Sequence, residues 1–262
     1  MSLIHFNYYS ECLSKITDFY VVAPDDMNEM MKKGNASYER PAKLLILLHG
    51  YSGNAADWLT GSPIRELAGK YNLVVAMPAG DNSFYTDAAH TGGKYCTFIG
   101  QELVQYLRRM FSLPDRSEDT FIGGYSMGGY GAIHIALAFP ETFSKVIGLS
   151  NALIVEGLSS IEEGNPVANR AYYEACFGDL NKAAMTMANP KLQLEQLQKA
   201  GQEVPSFFLA CGTEDFLYTA NRDFAAWVQE KKVDMEYHES HGIHNWAFWD
   251  SQLEPALQWL LR

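Results

Sequence analysis

One stretch constrains the fold of this chain more than any other. Residues 120–139 read TFIGGYSMGGYGAIHIALAF. Thr120-Phe121-Ile122 is a short β-branched and aromatic run, the pattern of a buried strand. Gly123 and Gly124 are expected to end it. From Ser126 onward, Tyr130, Ile133, Leu137 and Ala138 recur three to four residues apart, which is a helical period. Between strand and helix lies Gly124-Tyr125-Ser126-Met127-Gly128, a G-x-S-x-G pentapeptide. In a sharp strand-to-helix turn the central serine is forced into a strained backbone conformation, with its hydroxyl exposed above the sheet. The chain then passes too close to itself for side chains two residues away, a demand that flanking glycines meet. The helix that follows aims its free N–H groups at the place where negative charge would develop.

The pentapeptide alone is a weak signal. With glycine and serine near average abundance, a random chain of this length contains it about one time in ten. The competing reading is a glycine-rich turn with an ordinary N-cap serine. The strand before it, the helix after it and the extra glycines favour the nucleophile turn.

The rest of the chain alternates strand and helix. Strands are expected over 4–9, 16–22, 43–49, 73–77, 145–150, 206–211 and 234–239, the first two as an antiparallel pair. The run KLLILLH at 43–49 is continuously apolar, as for a strand buried on both faces. Helices are expected over 63–70, 99–111, 219–232 and 246–261. Residues 24–40, 81–97 and 241–245 read as loops. Residues 151–201 are polar, rich in Ala, Asn, Gln and Glu, and read as a helical cap-like insertion between two strands. This is the pattern of a doubly wound α/β sheet, mostly parallel, with antiparallel N-terminal strands, in one domain over residues 1–262. Function in such sheets gathers at the carboxyl ends of the strands.

Composition narrows the partners. A formal net charge of −11 argues against nucleic acid or an anionic membrane as a partner. The N-terminal residues MSLIHFNYYSECL have neither a basic n-region nor an apolar h-region. The longest aliphatic run, 44–48, is far too short to span a bilayer. Cys12, Cys96, Cys176 and Cys211 form no C-x-x-C pair. A cytoplasmic protein with reduced cysteines is expected. A homo-oligomer is allowed but not specified.

A nucleophilic serine needs a base, and the base needs an orienting acid, both at carboxyl ends of later strands. Asp215, just after the 206–211 run, and His244, just after the 234–239 run, follow Ser126 in the required order. Glu214 is adjacent to Asp215, and His241 shares the loop of His244, so both compete. Of the other histidines (His5, His49, His90, His134, His238), His134 reads as a packed helical residue. His238, His241 and His244 do not share a face, and no H-E-x-x-H occurs, so no metal site is expected. Backbone N–H groups of Met127 and of Tyr51, in the loop after 43–49, are placed to receive an oxyanion, with Ser52 as the alternative. Trp58, Tyr85, Tyr125 and Trp246 are expected to wall a substrate pocket, against the plainer reading of core aromatics.

Taken together the motifs resemble the putative-esterase family of α/β-hydrolases, which includes S-formylglutathione hydrolases, feruloyl and acetyl-xylan esterases, mycolyltransferases and small bacterial tributyrin esterases. The likeness is greatest to the tributyrin esterases. It rests on Leu48-His49-Gly50 with Gly53-Asn54 and Asp57-Trp58, and on Ser83-Phe84-Tyr85-Thr86-Asp87. It rests further on Gly124-Tyr125-Ser126-Met127-Gly128-Gly129, Cys211-Gly212-Thr213-Glu214-Asp215, and Gly242-Ile243-His244-Asn245-Trp246 with Trp249. The resemblance implies that Ser126, Asp215 and His244 are the triad, since the G-x-H-x-W pattern falls on His244. It also implies Tyr51 and Met127 as oxyanion donors, no cofactor, and short-chain acyl esters as substrates. The glutathione-thioester branch usually carries a threonine-cysteine pair where this chain has Ser52-Gly53, which counts against that substrate. A thioesterase or peptidase on the same triad, and a non-catalytic binding protein on the same fold, are the rival functions.

Overall fold

The apolar runs take the middle of one sheet. The computed structural model describes residues 1–88 and 93–262, so His90 and part of the 81–97 loop lie outside the described residues. The strands are β1 (Ser2–Ser10), β2 (Lys15–Ala23), β3 (Lys43–Leu48), β4 (Leu73–Pro78), β5 (Thr120–Tyr125), β6 (Lys145–Leu149), β7 (Ser206–Gly212) and β8 (Met235–Ser240). They form one eight-stranded sheet in the order β1-β2-β4-β3-β5-β6-β7-β8. β2 is antiparallel to β1 and β4, and every other pairing is parallel.

Period-2 alternation divides the core between the two faces. Leu44, Ile46, Leu48, Ile122, Val146, Phe207 and Leu209 point into one core, with Tyr130 and Ile133 of the helix Met127–Ala138. Leu45, Leu47, Phe121, Ile147, Phe208 and Ala210 point into the other, with the helices Ile64–Tyr71 and Trp246–Leu260. Both faces of the central strands are thus covered, while β1 and β8 at the rims keep exposed residues. Strand order reverses between β3 and β5. A doubly wound sheet opens a crevice there, at the carboxyl ends.

Two expectations change, and one short helix is added. Gly123 and Gly124 do not end the strand: β5 continues through them, paired to Leu47 and Leu48 of β3 and to Ile147 and Gly148 of β6. Ladder pairing on both sides outweighs their weak strand propensity. The helix expected from 99 begins earlier, at Tyr95, and passes through a π-helical stretch, Phe98–Leu103. A short helix, Asp57–Gly61, was not foreseen. Between β6 and β7 lie the helices Arg170–Phe177 and Pro190–Lys199: the second packs on Met127–Ala138, and Phe177 at the end of the first meets the Tyr130 ring at 5.9 Å. There the Tyr130 hydroxyl donates to the Ala188 carbonyl at 2.7 Å, and buried His134 meets Gln193 Oε1 at 3.1 Å, as its packed reading required.

A glycine at 128 is demanded by backbone: a Cβ there would run into the Leu48 carbonyl and lie 2.6 Å from the His49 carbonyl oxygen. Gly128→Ala is expected to cost about 1–3 kcal/mol, read as a lowered urea midpoint. Gly157, with nothing within 4 Å, is the control, and its alanine variant should stay within about 0.5 kcal/mol.

Candidate active site

Ser126 occupies the bend between β5 and the helix Met127–Ala138 with φ 55° and ψ −120°. A serine held in such a region stores roughly 1–3 kcal/mol of strain, so its surroundings must over-determine it. Its N–H donates to the Leu149 carbonyl at 2.9 Å. Its carbonyl accepts from Tyr130 N at 3.1 Å and Ala152 N at 2.9 Å. A Cβ on Gly124 would strike the Gly128 carbonyl, and one on Gly50 would lie 2.5 Å from the Tyr125 ring. The bend is therefore fixed by both neighbouring strands and by three bare backbones.

The loops after β7 and β8 complete a chain of hydrogen bonds. Ser126 Oγ lies 2.9 Å from His244 Nε2, and His244 Nδ1 lies 2.8 Å from Asp215 Oδ2. The Asp215 side chain is fully shielded from solvent. Burial works against its charge, but hydrogen bonds from His244, the Leu217 N–H and Ser150 outweigh that and hold its pKa below the ordinary carboxylate value. An ionised Asp215 only accepts, so His244 carries its proton on Nδ1 and offers Nε2 as the acceptor facing Ser126 Oγ. Trp249 meets the imidazole edge-on at 5.0 Å, and its indole N–H donates to Ser150 Oγ at 3.0 Å.

The two rivals have other partners. His241 is 91% exposed, with Nδ1 2.9 Å from Glu214 Oε1. Glu214 does not orient His244. It fastens the His244 loop instead, since Oε2 accepts the Gly242 N–H at 2.6 Å and the Glu214 N–H donates to the Gly242 carbonyl at 3.0 Å. These backbone and Thr213 hydrogen bonds, more than the facing His241, bring its pKa down to about 2. His238 stacks on Phe208 at 4.5 Å. The three histidines thus serve three separate sites. Among the described residues no group of three or more His, Cys, Asp or Glu is arranged to hold a metal ion.

The N–H groups expected to receive an oxyanion are those of Met127 and Tyr51. Met127 opens its helix and Tyr51 follows β3, and neither N–H has an acceptor among the described residues. The Ser52 N–H does, donating to Asn82 Oδ1 at 2.8 Å, which removes the alternative donor. Buried His49 shapes this loop. The Gly80 N–H donates to its Nε2 at 2.9 Å, so the proton sits on Nδ1, which donates to the Gly50 carbonyl at 2.8 Å.

Three of the four expected pocket walls are buried. Tyr85 is fully buried, its hydroxyl donating to the His49 carbonyl at 2.9 Å. Trp58 is equally covered, its indole N–H donating to the Leu48 carbonyl at 3.0 Å. Tyr125 stacks on Trp249 at 4.3 Å, and its hydroxyl donates to Asp57 Oδ2 at 2.6 Å. These three offer almost no surface to a ligand, because their polar tips are used to tie down the loops beneath the site. Trp246 is half-buried, edge-on to Trp58 and Trp249 at 5.3 Å each. Tyr51 is half-buried too, and Tyr172 from the helix Arg170–Phe177 meets its ring at 5.3 Å. The exposed apolar residues at the site are Phe216 and Ile243, which the sequence reading passed over. Their only signal was position, one next to Asp215 and one next to His244. A cavity of about 720 Å³ lies elsewhere, between His134, Cys176 and Gln193, and does not include Ser126.

Comparison with known proteins finds relatives over nearly the whole chain. A profile of the "Putative esterase" family matches residues 19–260. An acetyl esterase of Caldicellulosiruptor saccharolyticus is 36% identical over 262 residues, 99% of this chain and 98% of the relative. A substrate-bound structure of FphF, a fluorophosphonate-binding serine hydrolase of Staphylococcus aureus, superposes with a TM-score of 0.86 at 30% identity, covering 100% of this chain and 98% of that one. The S-formylglutathione hydrolase FrmB of the same organism gives 0.84 at 29% identity, covering 100% and 99%. The architecture is thus that of the α/β-hydrolases.

Glu214 supplies a pH prediction. Its pKa is depressed on folding, so its stabilising contribution is complete above its ordinary value of 4.5 and is lost as pH falls towards about 2. Replacing it by Gln should lower Tm most near pH 6, and the gap to the parent should close as thermal melts are taken down towards pH 3. A gap that stays constant with pH would assign the effect to shape and not to the carboxylate.

Proposed function

The chain belongs to the putative-esterase family and is a serine-hydrolase esterase, and from that premise we propose that Ser126, His244 and Asp215 are its catalytic triad and short-chain acyl esters its substrates. The observation that carries this reading is the continuous Ser126–His244–Asp215 hydrogen-bond chain at a strained bend. In acylation His244 Nε2 takes the Ser126 Oγ proton as Oγ bonds to the ester carbonyl carbon. The tetrahedral oxyanion is received by the Tyr51 and Met127 N–H groups. The carbon–oxygen bond to the alcohol then breaks, and His244 gives the proton to the departing oxygen. In deacylation a water repeats the sequence and frees the acid and Ser126. Asp215 keeps the tautomer and stabilises the imidazolium. Each oxyanion donor is worth about 10²–10³ in kcat. No metal or organic cofactor enters these steps.

Short acyl groups are favoured by the likeness to an acetyl esterase and by the edge-on contact of Tyr172 with Tyr51. On this reading residues 151–201 are a cap-like insertion within a single domain, limiting the acyl side. The similarity to an S-formylglutathione hydrolase keeps thioesters as a second reading, since the same acyl-enzyme serves both. All four cysteines are free, as a reducing, cytoplasmic setting would leave them. No helix among the described residues is long and apolar enough to cross a membrane.

A panel of p-nitrophenyl esters, acyl thioesters and aminoacyl amides separates the substrate classes. Ser126→Ala and His244→Ala should each lower kcat on the order of 10⁶, by analogy with other triads. Asp215→Asn should lower it about 10⁴-fold, whereas His241→Ala should change it little. Loss of turnover in His241→Ala with retention in His244→Ala would overturn the assignment of the base. Failure of a fluorophosphonate to label Ser126 would mean a binding protein instead.

A further inference from the structure

We propose that Phe216 and Ile243 form an apolar seat for the alcohol half of the ester, so that the enzyme selects acetate-like esters of flat, apolar alcohols such as aralkyl and aryl alcohols. This deepens the esterase reading and rests on it. Phe216 is 71% exposed and Ile243 54% exposed. Each is the immediate chain neighbour of a triad residue, Phe216 following Asp215 and Ile243 preceding His244. The Phe216 ring centroid lies 4.6 Å from that of His244, tilted by 47°. Trp249, the other ring against the imidazole, is buried. The imidazole therefore has one inner and one outer aromatic neighbour, and only the outer one has a free face.

Proton transfer decides which half of the substrate meets that face. His244 Nε2 must come within hydrogen-bond reach of the departing alcohol oxygen. The carbonyl oxygen must at the same moment point to the Tyr51 and Met127 N–H groups. The two halves of the ester consequently diverge from the carbonyl carbon. The acyl half leans towards Tyr51, which Tyr172 meets edge-on, and the alcohol half leaves past the imidazole, over Phe216, with exposed Ile243 next to His244 in the chain. The seat is also pre-organised. Asp215 Oδ1 accepts the Leu217 N–H at 2.9 Å, the Tyr218 N–H donates to the Asp215 carbonyl at 2.9 Å, and the Ile243 carbonyl accepts the Asn245 N–H at 2.8 Å. Little ordering entropy is then lost when an aromatic alcohol settles there.

The test uses acetate esters of benzyl alcohol and of methanol. Both pass through the same acetyl-enzyme, so deacylation is common to the two and the alcohol acts only in acylation, read as kcat/KM. Phe216→Ala is expected to lower the benzyl-to-methyl ratio of kcat/KM about tenfold, Ile243→Ser is expected to lower it less, and Phe216→Trp should preserve or raise it. Thermal melts verify that the variants fold, and fluorophosphonate labelling of Ser126 reports the intact triad. An unchanged ratio in Phe216→Ala with labelling intact overturns the seat and leaves the esterase reading standing. Equal loss on both esters together with slower deacylation makes Phe216 a prop for His244, which also overturns it. Unchanged selectivity with a smaller apparent mass in solution would assign the patch to contact between two copies. Absence of labelling and of acetate hydrolysis in the parent protein would bring down the esterase reading and the seat together.

Discussion

The left-handed backbone at Ser126 is the constraint on which the rest of the structure depends. A side chain at φ 55° is tolerated only where neighbours leave no alternative. Here the N–H is claimed by β6 and the carbonyl by both the following helix and the Ala152 N–H. Gly124 and Gly128 let strand and helix cross without a Cβ between them, and Gly50 lets the loop after β3 approach the same bend. The consequence is chemical. Only this bend lifts the Ser126 hydroxyl clear of the sheet while turning the helix N-terminus, with its unspent N–H groups, towards the same point.

Charge in the site is set by competition between burial and hydrogen bonding. Asp215 is shielded from water, which alone would favour its neutral form, yet three donors keep it ionised. One of them, Ser150, is itself held by the Trp249 indole, and Trp249 also supports the imidazole. Beneath this lies a second polar knot. Asn221 Oδ1 receives the Asn151 N–H at 2.9 Å and the Asn151 side-chain amide at 2.7 Å, in the space left by Gly129 and Gly148. It joins the helix Tyr218–Glu230, which follows Asp215, to the segment that holds the Ser126 carbonyl. The Asp215 and Ser126 segments thus share one foundation, and a shift of either is resisted by the other.

The aromatic residues divide by the state of their polar tips. Trp58, Tyr85 and Tyr125 each spend an N–H or O–H on a loop backbone or on Asp57, so they act as fastenings. Phe216 and Ile243 have no polar tip and stay exposed next to Asp215 and His244 in the chain. Burial with a satisfied donor marks a support.

Much of this was legible in the chain. The continuous apolar runs fixed which strands lie at the centre, because a strand buried on both faces cannot afford polar residues. G-x-S-x-G with strand before and helix after marked the bend, because only glycine fits where backbone crosses backbone. The sequence also put a carboxylate and a histidine after the later strands, in the order such a site requires. It did not choose between His241 and His244, or between Glu214 and Asp215, without the family resemblance. Adjacent residues differ in which way they face, and that is set by turn geometry and by the register of β5, β7 and β8. Those pairings bring together side chains 118 and 29 residues apart. Nor could periodicity tell a buried tyrosine from a pocket wall, since exposure in loops is decided by what packs over them and has no period to read.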